Sequence, residues 1–290
     1  MTDVYLASSE DAYKGACEAL DALNFSVTGK RVFIKPNLTG GLESRYGLTI
    51  DTGIVRAVLE RLHECPLITI GESCGDTARA FKELGYEDLA REFDNIVLED
   101  IREAEIVWKD IPKPYHTKEM PFHASLFEHD YVINIAKMKT HSLAGVTLCM
   151  KNIFGCVPTR KQKLMYHPFI RKAILDMNQI VKSDFCIVDG IWGNEFDEIQ
   201  STPKHSGAII AGENILAVDM IAAEVMGINL SAIDTYQRAF ELWGDPDINM
   251  LGANFDEVKR FYRQGALFST RIRYIKETAA SLVYRALNRH

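Results

Sequence analysis

The sequence predicts an α/β fold: a mostly parallel sheet with helices on both faces, followed by a helical C-terminal extension. Three observations carry this expectation. Short apolar, β-branched runs alternate with segments of helical periodicity over roughly the first 230 residues, the pattern of parallel crossover units. The run Tyr131-Val-Ile-Asn-Ile135 has the length and composition of a buried strand. Charged and polar residues follow directly on such runs, where open α/β sheets collect their ligands.

The elements follow in order. Residues 10–23 read as a helix with Ala12, Ala16, Ala19, Leu20 and Leu23 on one side and Ser8 or Ser9 as its cap. After the turn at Gly29-Lys30, residues 31–35 form a strand that Pro36 ends, because proline has no amide for a ladder. Residues 49–63 are a helix, 67–70 a strand, and 71–75 a glycine-flanked Glu-Ser-Cys turn that brings backbone close to a ligand or simply turns tightly. Helical segments at 77–85 and 87–93 precede a strand at 95–98 and an edge strand at 106–108. The stretch 112–121 holds three prolines and reads as loop. Beyond the central strand come a basic segment at 159–163, a helix from Pro168 to residue 182, a strand at 185–188 ending in Asp189-Gly190, and a helix at 214–226. Asp219 in that helix sits among apolar residues and reads as a buried hydrogen-bonding group. Past Gly227 the pattern weakens to short helical pieces at 239–243 and 255–262, then a basic amphipathic helix at 270–290. No internal repeat is visible, so the expectation is one domain over 1–230 with a helical extension, 231–290, packed on it.

The chain has 290 residues, enough for a sizeable core, and a net charge of −7. That sign argues against a nucleic-acid binder. The six cysteines include no C-x-x-C pair, so no zinc ribbon or Fe-S cluster motif is encoded locally, and reduced thiols in a cytoplasmic protein are expected. Cys149 and Cys156 read as small buried hydrophobes. No leader-like start and no transmembrane run of about 20 apolar residues is seen. Neither a Walker loop nor a G-x-G-x-x-G occurs, so there is no NAD or ATP motif.

Against the acidic whole, lysines concentrate in one stretch. Lys137, Lys139 and His141 follow the central strand, with Thr147, Lys151, Asn152 and Gly155 next. Lys35 and Asn37 occupy the corresponding end of an earlier strand, and Glu72 and Asp189 those of two others. A lysine offers a compact charge with three donors to a phosphate or carboxylate, and a histidine can move a proton near neutral pH. The competing readings are plain ones: solvated strand ends for the lysines, a turn for Asp189-Gly190, loop amides held by Glu72.

Six short motifs occur in fixed order: Ile34-Lys-Pro-Asn37, Ile70-Gly-Glu-Ser73, Lys137-x-Lys-x-His141, Thr147-x-x-x-Lys-Asn152 with Gly155, Val188-Asp-Gly190 followed by Glu195, and Ala217-Val-Asp219. Together they resemble the DUF362 family of uncharacterised proteins, over about residues 32–226. Many of its members carry a ferredoxin-like module or a twin-arginine signal, and this chain has neither. The resemblance aligns Glu195 with the glutamate of a Met-Glu-Gly-x-Gly-Pro loop, but Phe196-Asp197-Glu198 stand here in place of the glycine and proline.

Two classes of function follow. The first is an enzyme on a small anionic metabolite, an isomerase or lyase, with catalytic His141, Lys139, Glu72 and Asp189, and with Lys35, Asn37, Lys137, Thr147, Lys151, Asn152 and Glu195 binding substrate. The second is a non-catalytic metal- or cluster-related carrier or assembly protein. Converging charges favour the enzyme, because each costs desolvation that a scaffold need not bear. Cofactor, reaction and any homo-oligomer are left open by the sequence.

Overall fold

The computed structural model describes residues 1–265 and, within the tail, 272, 275, 276, 278, 279 and 281. The amphipathic helix expected at 270–290 falls largely outside the described residues.

Eleven strands are formed among the described residues: β1 (Thr2–Ser8), β2 (Arg31–Pro36), β3 (Leu67–Glu72), β4 (Ile96–Asp100), β5 (Ile106–Asp110), β6 (Glu119–His123), β7 (Tyr131–His141), β8 (Gly145–Thr147), β9 (Phe185–Asn194), β10 (Pro203–Gly212) and β11 (Ile248–Gly252). Nine make one sheet in the order β11-β1-β10-β9-β7-β2-β3-β4, with β8 hairpinned onto β7. The run β9-β7-β2-β3-β4 is parallel, as is β1 with β11, while β10 is antiparallel to both its neighbours.

Helices cover both faces. On one side lie α1 (Ala12–Ala22), α2 (Thr52–Leu59), α3 (Thr77–Glu83) and α4 (Tyr86–Glu92), whose Leu20, Ile54, Val58, Phe81 and Leu89 pack on Ile34, Ile70, Ile133 and Ile187 of the strands. On the other lie α5 (Cys149–Asn152), α6 (Arg160–Tyr166), α7 (Ile170–Asn178), α8 (Ile215–Met226) and α9 (Asp234–Trp243), and the short α10 (Phe255–Val258) follows β11. There Ile174, Val218, Ala222 and Tyr236 pack with Phe33, Ala136, Met138 and Val188. Alternate residues of the central strands therefore feed two separate cores, as the period of two requires.

Several local expectations are corrected. The N-cap of α1 is Asp11, which accepts from the Lys14 amide, while Ser9 accepts from the amide of Asp11 itself. The central strand runs on through His141 instead of stopping at Ile135, because the segments crossing over its end bury the lysines that looked like loop. Residues 119–121, read as part of a proline-rich loop, belong to β6, which pairs with β5 in a separate two-stranded sheet where β5 is an edge strand. Thr2–Ser8 and Ile248–Gly252, given no strand by the sequence pattern, pair with each other at the main sheet's edge. The edge strand of the two, β11, is short and half-exposed, which weakens its periodic signal.

Candidate functional site

Chain direction splits at the boundary between β2 and β7. From β2 the chain goes through α2 to β3 on one side, and from β7 through α5 to α7 to β9 on the other. Crevices outside the C-terminal ends of the strands at such a reversal are where open α/β sheets bind ligands. A cleft of about 180 Å³ opens at this place, with Lys35, Lys139, Lys151 and Lys163 together with Glu72 and Glu198 in its walls.

Each lysine has a different environment. Lys35, at the end of β2, is buried and ion-paired to Glu72 at 2.8 Å, and it also donates to the Pro36 carbonyl at 2.6 Å. Glu72 in turn accepts from the amides of Ser73 and Leu38. A Cβ on Gly155 would lie 2.7 Å from Lys35 Cε, so any larger residue there would push the end of this lysine aside. Lys139 Nζ donates to the Leu48 carbonyl at 2.9 Å and to Thr39 Oγ1 at 3.3 Å, both neutral. Burial, then the Lys151 charge, pull its pKa down to about 7, although Glu198 pulls the other way. Burial lowers Lys151 as well. Lys163, on α6, bonds Ser73 through both its carbonyl and its hydroxyl, and burial brings its pKa to about 8. A capping box between Thr159 and Gln162 starts that helix and so aims Lys163 inward.

Glu198 enters from the turn after β9. Phe196 holds the left-handed conformation there (φ 72°), and the Asp197 carboxylate accepts from the amides of Ile199 and Gln200. Glu198 then accepts from the Ser142 amide at 2.9 Å and lies 3.3 Å from His141 Nδ1. His141 Nδ1 also accepts from the amides of Leu143 and Ala144, and burial pushes the imidazole down to about 3.

A chain of amides forms the floor. Asn134 donates to the Cys149 carbonyl and accepts from Asn152, which also donates toward the carbonyls of Lys35 and Ile135. Asn152 Oδ1 accepts from Asn37 Nδ2 at 2.7 Å. Beneath α5, Asp219 accepts from the amides of Cys149 and Met150 and from the Tyr236 hydroxyl, the buried hydrogen-bonding role expected of it.

Of the residues singled out in the sequence, the cleft gathers Lys35, Asn37, Glu72, Lys139, Lys151 and Asn152. Five others lie behind or beside it. Lys137 and Asp189 form a fully buried ion pair at 2.9 Å, and Asp189 also takes the Asp51 amide that caps into α2. Thr147 is buried on β8. His141 lies beside the cleft, its Nδ1 taken by the amides of Leu143 and Ala144. Glu195 is held by Lys204 and by the side chain and amide of Arg263, which, against the cost of burial, bring its carboxyl down to about 2. The cleft adds Lys163, Glu198, His167 and Ser73, which the sequence reading did not place in a site. The basic segment 159–163 was a visible signal for Lys163. For Glu198 the signal was its displacement of the family's loop. Among the described residues, no group of three or more His, Cys, Asp or Glu side chains is disposed to hold a metal ion, and no helix is long and apolar enough to cross a membrane.

Comparison with known proteins agrees with this architecture. The chain is 26% identical over 224 residues to the thylakoid-associated protein sll1697 of Synechocystis sp., a match spanning 73% of this chain and 68% of that protein. In fold it is similar to the lactate racemase apoprotein of Thermoanaerobacterium thermosaccharolyticum, with a TM-score of 0.51 at 15% identity, over 79% of this chain and 58% of the racemase chain. Residues 32–224, which contain β3, β7, β9, all of β2 but its first residue, and every charged residue of the cleft, match the domain of unknown function DUF362, and the chain belongs to that family.

Proposed function

We propose that the protein is an acid–base enzyme acting on a small carboxylated or phosphorylated molecule, with Lys139 moving the proton. The observation that carries this is the state of Lys139: a buried amine bonded to neutral oxygens, with a pKa brought to about 7. A base whose pKa lies near the working pH gives the best product of free-base fraction and basicity. Perturbed groups of this kind, gathered in a cleft, mark functional sites more often than structural ones. Lys151 and Lys163 supply positive charge for the anion, and Lys35 is held in place by Glu72. The cations also face any negative charge that develops as a proton leaves a carbon next to a carboxylate or carbonyl. Glu198, which enters the cleft from the turn after β9, serves as the second acid–base group. This is chemistry of an isomerase or a lyase. The fold it shares with a lactate racemase is in keeping with it. The same reading keeps the protein in the cytoplasm with its six thiols free, as a monomer or a homo-oligomer.

The test is a thermal-shift and calorimetric screen of wild type and Lys139→Ala against phosphorylated and carboxylated small molecules. A ligand at 100 times its Kd adds about 2.7 kcal/mol of stability. Stabilisation of the wild type by one anion class, lost in Lys139→Ala, is the expected result. No stabilisation of either protein by any anion would remove the reading.

A further inference from the structure

The amide chain on the cleft floor has a direction, and it ends at a residue of the cleft, Asn37. Asn134 Nδ2 lies 2.9 Å from the Cys149 carbonyl, which can only accept, so Asn134 turns its oxygen toward Asn152. Asn152 Nδ2 also faces the carbonyl oxygens of Lys35 and Ile135 at 3.2 and 3.3 Å, and reversing this amide would set its oxygen against both. Asn152 therefore presents Oδ1 to Asn37, and Asn37 must answer with Nδ2. The one group left at the end of the chain is Asn37 Oδ1. It is buried, it has no hydrogen-bond partner among the described residues, and it belongs to a residue of the cleft wall. Buried acceptors are rarely left unmet in native proteins, and one that is left in a ligand cleft marks a partner still to come.

We propose that the ligand of this cleft carries a hydrogen-bond donor, a hydroxyl or an amine, beside its anionic group, and that the donor docks on Asn37 Oδ1. This rests on the anion-binding reading and narrows it: the substrate class becomes hydroxylated or aminated acids and phosphates, not simple ones. A site built to pair with a hydroxyl discriminates strongly against the analogue lacking it, because the acceptor is then desolvated for nothing. A hydrophobic floor would show no such preference. Three core-anchored amides in series are a costly way to orient one oxygen unless that oxygen has a use.

The experiment compares matched ligands of equal charge by calorimetry: malate with succinate, and glycerol 3-phosphate with propyl phosphate, on wild type, Asn37→Ala and Asn37→Leu. In whichever pair binds, the hydroxylated member is expected to bind the wild type about tenfold more tightly or better. In the two variants that ratio collapses toward one, while the deoxy member binds as before. Circular dichroism checks that each variant is folded, and the wild-type ratios stand if neither is. If no member of either pair binds, the anion-binding reading itself falls. If both members of a pair bind the wild type equally, only the donor inference falls; that is also the outcome if a cleft lysine swings onto Asn37 Oδ1. A preference that survives in Asn37→Ala places the donor elsewhere and overturns the assignment.

Discussion

Lys139 concentrates the energetic cost of this site. Among the described residues its amine bonds the Leu48 carbonyl and the Thr39 hydroxyl and no carboxylate, and burial holds its pKa at about 7 against an ordinary 10.5. Between pH about 7 and 10.5 the unfolded chain carries a proton on this lysine that the folded chain does not. Stability therefore rises with pH across that window; the penalty is complete below it and gone above it. Urea denaturation of wild type and Lys139→Met between pH 6.5 and about 9.5 measures this. The methionine variant is expected to gain relative to wild type at the acid end, and the gap to close as pH rises. A pH-independent gap would show that Lys139 is charged in the folded protein throughout. Lys139 was readable as a site residue because a lysine beside a buried strand is conspicuous. Its difference from Lys137, two positions away and locked to Asp189 at 2.9 Å, was not, since both have the same immediate sequence context.

At the level of elements, α5 is only four residues long and cannot be stable by itself. Asp219 on α8 holds its start by accepting from the amides of Cys149 and Met150, and Tyr236 on α9 completes the carboxylate's bonding. Lys151 and Asn152, both cleft residues, are thereby placed by a residue in a different helix. Asp219→Ala leaves two amides and a hydroxyl buried without partners, an expected loss of about 3 kcal/mol or more by chemical denaturation. A loss below about 1 kcal/mol would mean that water replaces the carboxylate and that α5 needs no such support. The helices and buried strands were legible because their periodicity is dense and apolar. The extension of β7 through His141 was not, because lysines read as solvent-facing until the residues 37–51 and 194–202 are known to pass over them. The β5–β6 hairpin was missed for a simpler reason: Pro121 demotes a strand, and a two-stranded edge element tolerates it.

For the molecule as a whole, the two-faced sheet predicts a gradient of local stability. β7 lies between β2 and β9 with both faces under helices, whereas β5 carries Trp108 at 51% exposure and pairs only with β6 among the described residues. In hydrogen exchange read by mass spectrometry, amides of residues 132–137 should exchange last and those of 106–110 among the first, because every residue of β5 is exposed or half-buried and the strand can part from β6 without opening the core. Equal protection of the two would mean that the hairpin and the sheet unfold as one unit.

Local order was already contained in the residue string. Alternation of apolar runs, helix caps and glycine turns depend on neighbours within a few positions, so the α/β class, the order of the motifs and most of the lysine cluster follow from it. The cleft depends on distances that the string does not contain. Lys35 meets Glu72 across 37 positions, Lys137 meets Asp189 across 52, and Asn37 meets Asn152 across 115. Whether a charge is neutralised, merely buried or turned toward a ligand is set by strand order and by which loops cross the sheet's end. Those are properties of the folded chain, and they separate Lys139 and Glu198 from Lys137 and Glu195, which look alike in sequence and differ in what surrounds them.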